Sequence, residues 1–188
     1  MKIWLSGYRS YELNIFKESD PKIEVIKNTL KEYLLQKLTE NGLEWILAGG
    51  QLGIEQWGLE TANELKKDYP ELKTAMMLPY QEFEQNWRED KQAKYQVIKQ
   101  AVSFSASIST DPYKSPHQLR NWQEFMLAHT EGAVFVYDPE YEGKTKYPYE
   151  AVKKYQETHD YPLTLIDMDW LETSAREFIE RKRDNGLQ

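Results

Sequence analysis

Three segments of the chain combine glycines, hydroxyls and charged side chains in patterns suited to an anionic, hydroxylated ligand. The first is Ser6-Gly7-Tyr8-Arg9-Ser10. Gly7 lets the backbone turn sharply or a ligand come close. Arg9 offers a planar fork of donors for phosphate, and Ser6 and Ser10 add hydroxyls. The same residues would also make a tight turn with a surface arginine, and on this segment alone the two readings are even. The second is Gly49-Gly50-Gln51-Leu52-Gly53-Ile54-Glu55-Gln56-Trp57. It joins an apolar run to an amphipathic stretch, so backbone N–H groups at a helix start would point outward, where the macrodipole favours an anion. Gly49, Gly50, Gln51 and Gly53 are the expected phosphate donors, and Glu55 the expected acceptor for ribose hydroxyls. A ligand-free glycine-rich turn is the simpler alternative. G-x-G-x-x-G does not fit, and no Gly-Lys-Ser/Thr follows. Trp57 stands at core spacing with Ile54, so packing is its default and base stacking the alternative.

The third segment runs from Tyr137 to Tyr147 and contains Gly143-Lys144-Thr145. Its backbone, hydroxyl and ammonium groups could close over a phosphate. An acidic surface hairpin with ordinary lysines accounts for it more simply. Tyr80, after Leu78-Pro79, could lie over a pocket, and Gln118, Arg120 and Asn121 could reach the same edge. His117, His129 and His159 show no metal-ligand spacing, and His129 reads as packed or capping. No Gly-x-Ser-x-Gly elbow or Ser–His–Asp pattern is present.

These segments need elements to hold them. Residues 2–6 read as a strand. Asp20-Pro21 opens a helix with a cap and a first-turn proline, Ile23, Ile26, Leu30, Leu34 and Leu38 form its apolar face, and Asn41-Gly42 stops it. Trp45 to Ala48 is a second strand. A helix runs from near Gly53 to Lys66-Lys67, and residues 73–78 form a third strand. Helix signals cover 82–101, and Val102, Phe104, Ala106 and Ile108 alternate as a fourth strand over 102–108. Ser115-Pro116 opens a helix with Leu119, Trp122, Met126 and His129 on one face. Ala133 to Tyr137 is a fifth strand, 148–157 a helix, and Pro162 to Ile166 a sixth strand. A last helix carries Leu171, Ala175 and Phe178 and is expected to fray into Arg181-Lys182-Arg183. Strands alternating with helices imply one α/β domain over residues 1–188: three layers, a mainly parallel central sheet and helices on both faces. In such sheets ligands bind beyond the carboxyl ends of the strands, near a switch in strand order.

Composition narrows the partners. The chain has 188 residues, net charge −7 and no cysteine. A dedicated nucleic-acid binder would be basic, so nucleic acid is not the expected partner. The missing thiols exclude disulfides and thiolate chemistry and fit a cytoplasmic setting. No apolar run reaches membrane-spanning length, so no membrane insertion is expected. No metal and no obligatory cofactor is implied, although a nucleotide could bring magnesium.

The opening Ser6 to Leu13, the Gly49–Trp57 block, Leu78-Pro79-Tyr80, Asn86-Trp87, Ser115 to Gln118, and Tyr137-Asp138 with Glu142-Gly143-Lys144 together resemble the YpsA family of Firmicutes. That family is grouped with the Rossmann-like SLOG proteins, relatives of DprA and the LOG phosphoribohydrolases. The resemblance implies a single Rossmann-like domain holding a nucleotide or nucleotide derivative, such as ADP-ribose or NAD, on its first two loops. It also implies a link to cell division and growth, and so a protein partner. LOG enzymes carry Pro-Gly-Gly-x-Gly-Thr-x-x-Glu where this chain has Asp138 to Thr145, and only Gly143 and Thr145 echo it. A non-catalytic sensor is therefore the first expectation. The alternatives are an N-glycosidic hydrolase using Glu55 or Glu142, and a protein-interaction module with a vestigial pocket.

Overall fold

Trp4 and Leu5 are adjacent on a strand and must point to opposite faces, yet both are fully buried. Only a strand covered on both sides does this. The computed structural model describes residues 1–186, and its element order gives the reason. The strands are β1 (Lys2–Gly7), β2 (Trp45–Ala48), β3 (Lys73–Leu78), β4 (Phe104–Ser107), β5 (Gly132–Val136) and β6 (Leu163–Leu165). The helices are α1 (Pro21–Asn41), α2 (Ile54–Leu65), α3 (Glu89–Ala101), α4 (His117–Ala128), α5 (Lys146–Tyr155) and α6 (Met168–Gly186). A short 3-10 turn, Ser10–Leu13, follows β1.

The sheet is six-stranded in the order β4-β3-β2-β1-β5-β6, and every pairing is parallel. The chain builds outward from β1 to β4, then crosses back to lay β5 on the other side of β1. Right-handed crossovers therefore place α1, α2 and α3 on one face and α4 and α5 on the other. Packing agrees: α1 lies on α2, α2 on α3, and α4 on α5, while α6 returns against α1. Leu5 packs on α2 at Gly58, where an added Cβ would meet Leu5 Cδ2 at 2.4 Å. Trp4 faces the opposite way and meets Trp122 of α4 and Phe135 of β5 edge-on, at 5.6 and 5.1 Å between ring centres. Trp122 Nε1 also donates to Met77 O at 2.7 Å, tying α4 to β3.

Local signals set most element ends. Asp20 accepts from Lys22 N–H at 2.9 Å, Pro21 occupies the first turn of α1, and Gly42 closes that helix at φ 62°. Four expectations change. The helix expected over 82–101 begins only at Glu89. Glu82 adopts φ 54°, which breaks helical geometry, and Phe83 and Trp87 fold under as an aromatic cluster with Tyr80 and Tyr95. The fourth strand is shorter, because Val102 closes α3 by donating to Ile98 O, and β4 is an edge strand with Phe104 52% exposed. Leu119 is not on the buried face of α4 but opens to solvent, whereas His129 caps that helix, its Nδ1–H donating to Phe125 O at 2.8 Å. The basic end of α6 does not fray: Arg181 donates to Glu32 at 2.8 Å and Lys182 to Glu24 at 2.9 Å, both on α1. Among the described residues no helix is long and apolar enough to cross a membrane.

Candidate functional site

The strand order reverses between β1 and β5, so the loops after these strands diverge and leave a crevice at their carboxyl ends. A cleft of about 1200 Å³ opens there. Its floor is formed by Ser6, Gly49, Gly50, Gln51 and Glu55, and its walls by Arg9, Tyr80 and Gly143 among others. Ser6, Arg9, Gly49, Gly50, Gln51, Glu55, Tyr80 and Gly143, all singled out in the sequence, thus meet in one place, whereas Gly7, Tyr8, Gly53, Trp57 and Thr145 lie elsewhere.

Gly7 is packed between α2 and β5, where a Cβ would come within 2.7 Å of both Ile54 Cγ2 and Val136 O. Tyr8 is buried and braces the third loop: Asp138 N–H donates to its hydroxyl at 2.9 Å, and the hydroxyl donates to Tyr141 O at 2.7 Å. Burial pushes its phenol up to about 12. Gly53 joins the first two loops through a bridge with Arg9, in which Ile54 N–H donates to Tyr8 O and Ser10 N–H to Leu52 O. Trp57 is buried beside it, and both border a separate pocket of about 270 Å³ near the start of α3. Thr145 is buried at the start of α5 and borders neither.

Glu55 is the centre of the cleft floor. Its Oε1 accepts from the Ser6 hydroxyl at 3.0 Å and its Oε2 from Gln51 N–H at 2.9 Å. Gly49 leaves the space for this carboxylate, since a Cβ there would lie 2.5 Å from Oε2. Gln56 fixes the loop from behind by donating to Gly50 O at 2.9 Å. Burial pushes the Glu55 carboxyl above its ordinary value, against the opposing pull of the Arg9 guanidinium, Gln51 N–H and Ser6 hydroxyl. The position at the start of α2 that would suit a phosphate is therefore occupied by the chain's own carboxylate, which also engages the Gln51 donor. The floor offers acceptors for a hydroxylated group.

The cleft's cationic groups lie on its wall. Among the described residues Arg9 makes no ion pair, although its charge is felt by both Glu55 and Tyr80. Glu12 holds this corner together, Oε1 accepting from Arg9 N–H at 2.8 Å and Oε2 from Lys144 N–H at 2.9 Å. Gly143 lies against Glu12 and leaves it room. Opposite stand Tyr80, Phe83 and Tyr113, with ring centres 5.4 and 5.2 Å from Tyr80. Arg120 of α4 lines the cleft, whereas Gln118 is buried bracing the preceding loop through Lys114 N–H, Ser115 N–H, Ser109 and Pro112.

Several cleft residues escaped the sequence reading. Lys146, Glu150 and Lys154 recur every fourth residue, a spacing that puts them on one face of α5, and that signal was available. Tyr11 and Tyr113 carry no such signal. Nor does Glu12, whose partner Lys144 is 132 residues away.

A family model described as the YspA SLOG family matches residues 3–171. A UPF0398 protein of Levilactobacillus brevis is 56% identical over 187 residues, covering 100% of this chain and 98% of its own length. Its counterpart in Lactiplantibacillus plantarum is 54% identical over 186 residues, covering 99% and 97%. That of Limosilactobacillus reuteri is 53% identical over 184 residues, covering 97% of each. With the model spanning nearly every element of the sheet and these relatives aligned end to end, the chain belongs to the YspA SLOG family.

Proposed function

We propose that this protein is a non-catalytic sensor that binds a nucleotide or nucleotide derivative in the cleft at the β1/β5 switch point. The observation that carries this reading is the Arg9 guanidinium, which makes no ion pair among the described residues, set beside a hydroxyl-accepting floor, Glu55 and Ser6, under one aromatic wall. Ribose hydroxyls meet Glu55, a phosphate meets Arg9, and the base lies against Tyr80 and Tyr113. Gly49, Gly50 and Gln51 shape the floor rather than hold the phosphate.

Of the two carboxylates that a glycosidic hydrolase would use here, Glu55 already accepts on both oxygens and Glu142 pairs with Lys146 at 3.2 Å, which favours binding over hydrolysis. The output of such a sensor would be a cytoplasmic protein partner acting in growth or cell division, as the family resemblance implies. Tyr11, Tyr141 and Tyr147, each more than half exposed around the third loop, are where that partner would read the bound state.

The test is a thermal-shift panel of nucleotides, NAD, ADP-ribose and cyclic dinucleotides against wild type and Arg9→Gln. A ligand at ~100 times its dissociation constant stabilises the fold by about 2.7 kcal/mol, roughly 5–11 °C for a domain this size. The expected result is a shift in wild type that collapses in Arg9→Gln, with unchanged melting of the unliganded variant. A flat panel, or a shift indifferent to Arg9, overturns the reading. Chromatographic release of free base from a bound nucleotide would replace the sensor with the hydrolase.

A further inference from the structure

The chain carries net charge −7, yet its cleft is lined by five cations and four carboxylates. The local excess is sharper than that count, because three of the four carboxylates have partners, Glu150 being the exception among the described residues, whereas four of the five cations have no ion pair. Glu12 and Glu55 each accept two hydrogen bonds from neutral groups, and Glu142 pairs with Lys146. Among the described residues Arg9, Arg120, Lys144 and Lys154 make no ion pair. Arg9 stands alone on the β1 loop. The other three come from different elements: Arg120 from the first turn of α4, Lys144 from the loop after β5, and Lys154 from the last turn of α5. They line one cleft because α4 packs on α5 on the same face of the sheet.

Like charges gathered with few free counter-charges repel, Glu150 alone among the cleft carboxylates having no partner among the described residues, and a protein of this overall sign has carboxylates to spare for pairing them. Their gathering at the mouth of a cleft makes sense as a receptor for negative charge beyond what Arg9 can neutralise. The cleft, at about 1200 Å³, also has room for more than a single phosphate and a base.

We propose that the cleft holds two anion subsites, an inner one at Arg9 and an outer one formed by Arg120, Lys144 and Lys154, and that its ligand is a nucleotide carrying two or more phosphates. This rests on the nucleotide reading above and adds to it the length of the anionic chain. The inner phosphate meets the guanidinium beside the ribose, and the terminal phosphate reaches the outer cations. The outer three are exposed, so their attraction is screened by salt more than that of the half-buried Arg9.

The experiment is titration calorimetry, without magnesium, with the 5′-mono-, di- and triphosphates of adenosine and guanosine, and with inorganic tripolyphosphate. Wild type, Arg9→Gln and the double variant Arg120→Gln/Lys154→Gln are compared. The expected result is an affinity that rises with phosphate number, at least about tenfold from mono- to triphosphate. The double variant brings that ratio close to one, whereas Arg9→Gln weakens every nucleotide and keeps the ratio. A flat series in wild type, or a ratio that survives in the double variant, overturns the outer subsite while leaving the nucleotide reading intact. Tripolyphosphate binding that depends on Arg120 and Lys154, with no nucleotide bound, overturns the nucleotide reading and keeps the outer subsite. No binding of any probe overturns both.

Discussion

Two glycines of this chain adopt left-handed backbone, and replacing each by alanine should have very different consequences. Gly42 closes α1 at φ 62°, and a Cβ there would meet nothing within 4 Å. Gly42→Ala therefore costs only the left-handed conformation itself, about 1–2 kcal/mol. Gly53 sits at φ 114° and ψ −134°. Its Cβ would lie 2.5 Å from Ser10 N, 2.6 Å from Tyr8 O and 2.8 Å from the Arg9 carbonyl carbon. All three are backbone atoms of the bridged loop, so relief requires opening the bridge. Backbone strain of about 1–3 kcal/mol then adds to two lost hydrogen bonds, Ile54 N–H to Tyr8 O and Ser10 N–H to Leu52 O, at about 1 kcal/mol each. The expected cost of Gly53→Ala is about 3–5 kcal/mol, read by urea unfolding alongside Gly42→Ala. Amide exchange should show Ser10 and Ile54 losing protection in Gly53→Ala alone. If both variants cost the same and those two amides stay protected, the bridge does not join the loops as argued.

Other outcomes follow from the same corner of the molecule. Burial raises the Glu55 carboxyl above its ordinary 4.5, so its contribution to stability is complete below that pH and is lost as pH rises through the folded value. Glu55→Gln, whose amide can accept from Gln51 and donate to Ser6, should remove that slope, and a pH series of melting temperatures that keeps it would refute the assignment. Tyr8→Phe leaves Asp138 N–H and Tyr141 O without the hydroxyl and should cost about 1–3 kcal/mol, with faster amide exchange across 138–145. Because burial lifts the Tyr8 phenol from 10.0 to about 12, its contribution holds below pH 10 and is lost through pH 12, and Tyr8→Phe should flatten that alkaline limb of the stability profile. Glu12→Ala frees Arg9 N–H and Lys144 N–H and should cost about 1–2 kcal/mol by urea unfolding, less if water replaces the carboxylate at this half-exposed corner.

The alternation of apolar runs with amphipathic stretches was enough to order all six strands, because a parallel sheet needs a helix between each pair and each leaves its own period. Caps such as Asp20-Pro21 and Gly42 are local chemistry and were legible for the same reason. The glycine-rich loops were legible as places where the backbone must do something unusual, though not as to what. Gly49 gives room to a carboxylate six residues later and Gly53 to a neighbouring loop, and neither purpose is encoded in the loop's own residues. The same limit explains the segment before α3, where Phe83 and Trp87 have helical spacing but are drawn into contacts with Tyr80 and Tyr95.

Residue types and periodicity, then, determined the α/β class, the element order and the edge of the sheet where a ligand would sit. Tertiary structure alone decided which side of β1 received β5, and with it the cleft. It joined Glu12 to Lys144 across more than a hundred residues of chain and set Arg120 and Lys154, more than thirty residues apart, in the lining of one cleft. The physical reason is the range of the forces involved: propensity and capping act within a few residues, whereas strand order and helix packing are settled by burying one shared core.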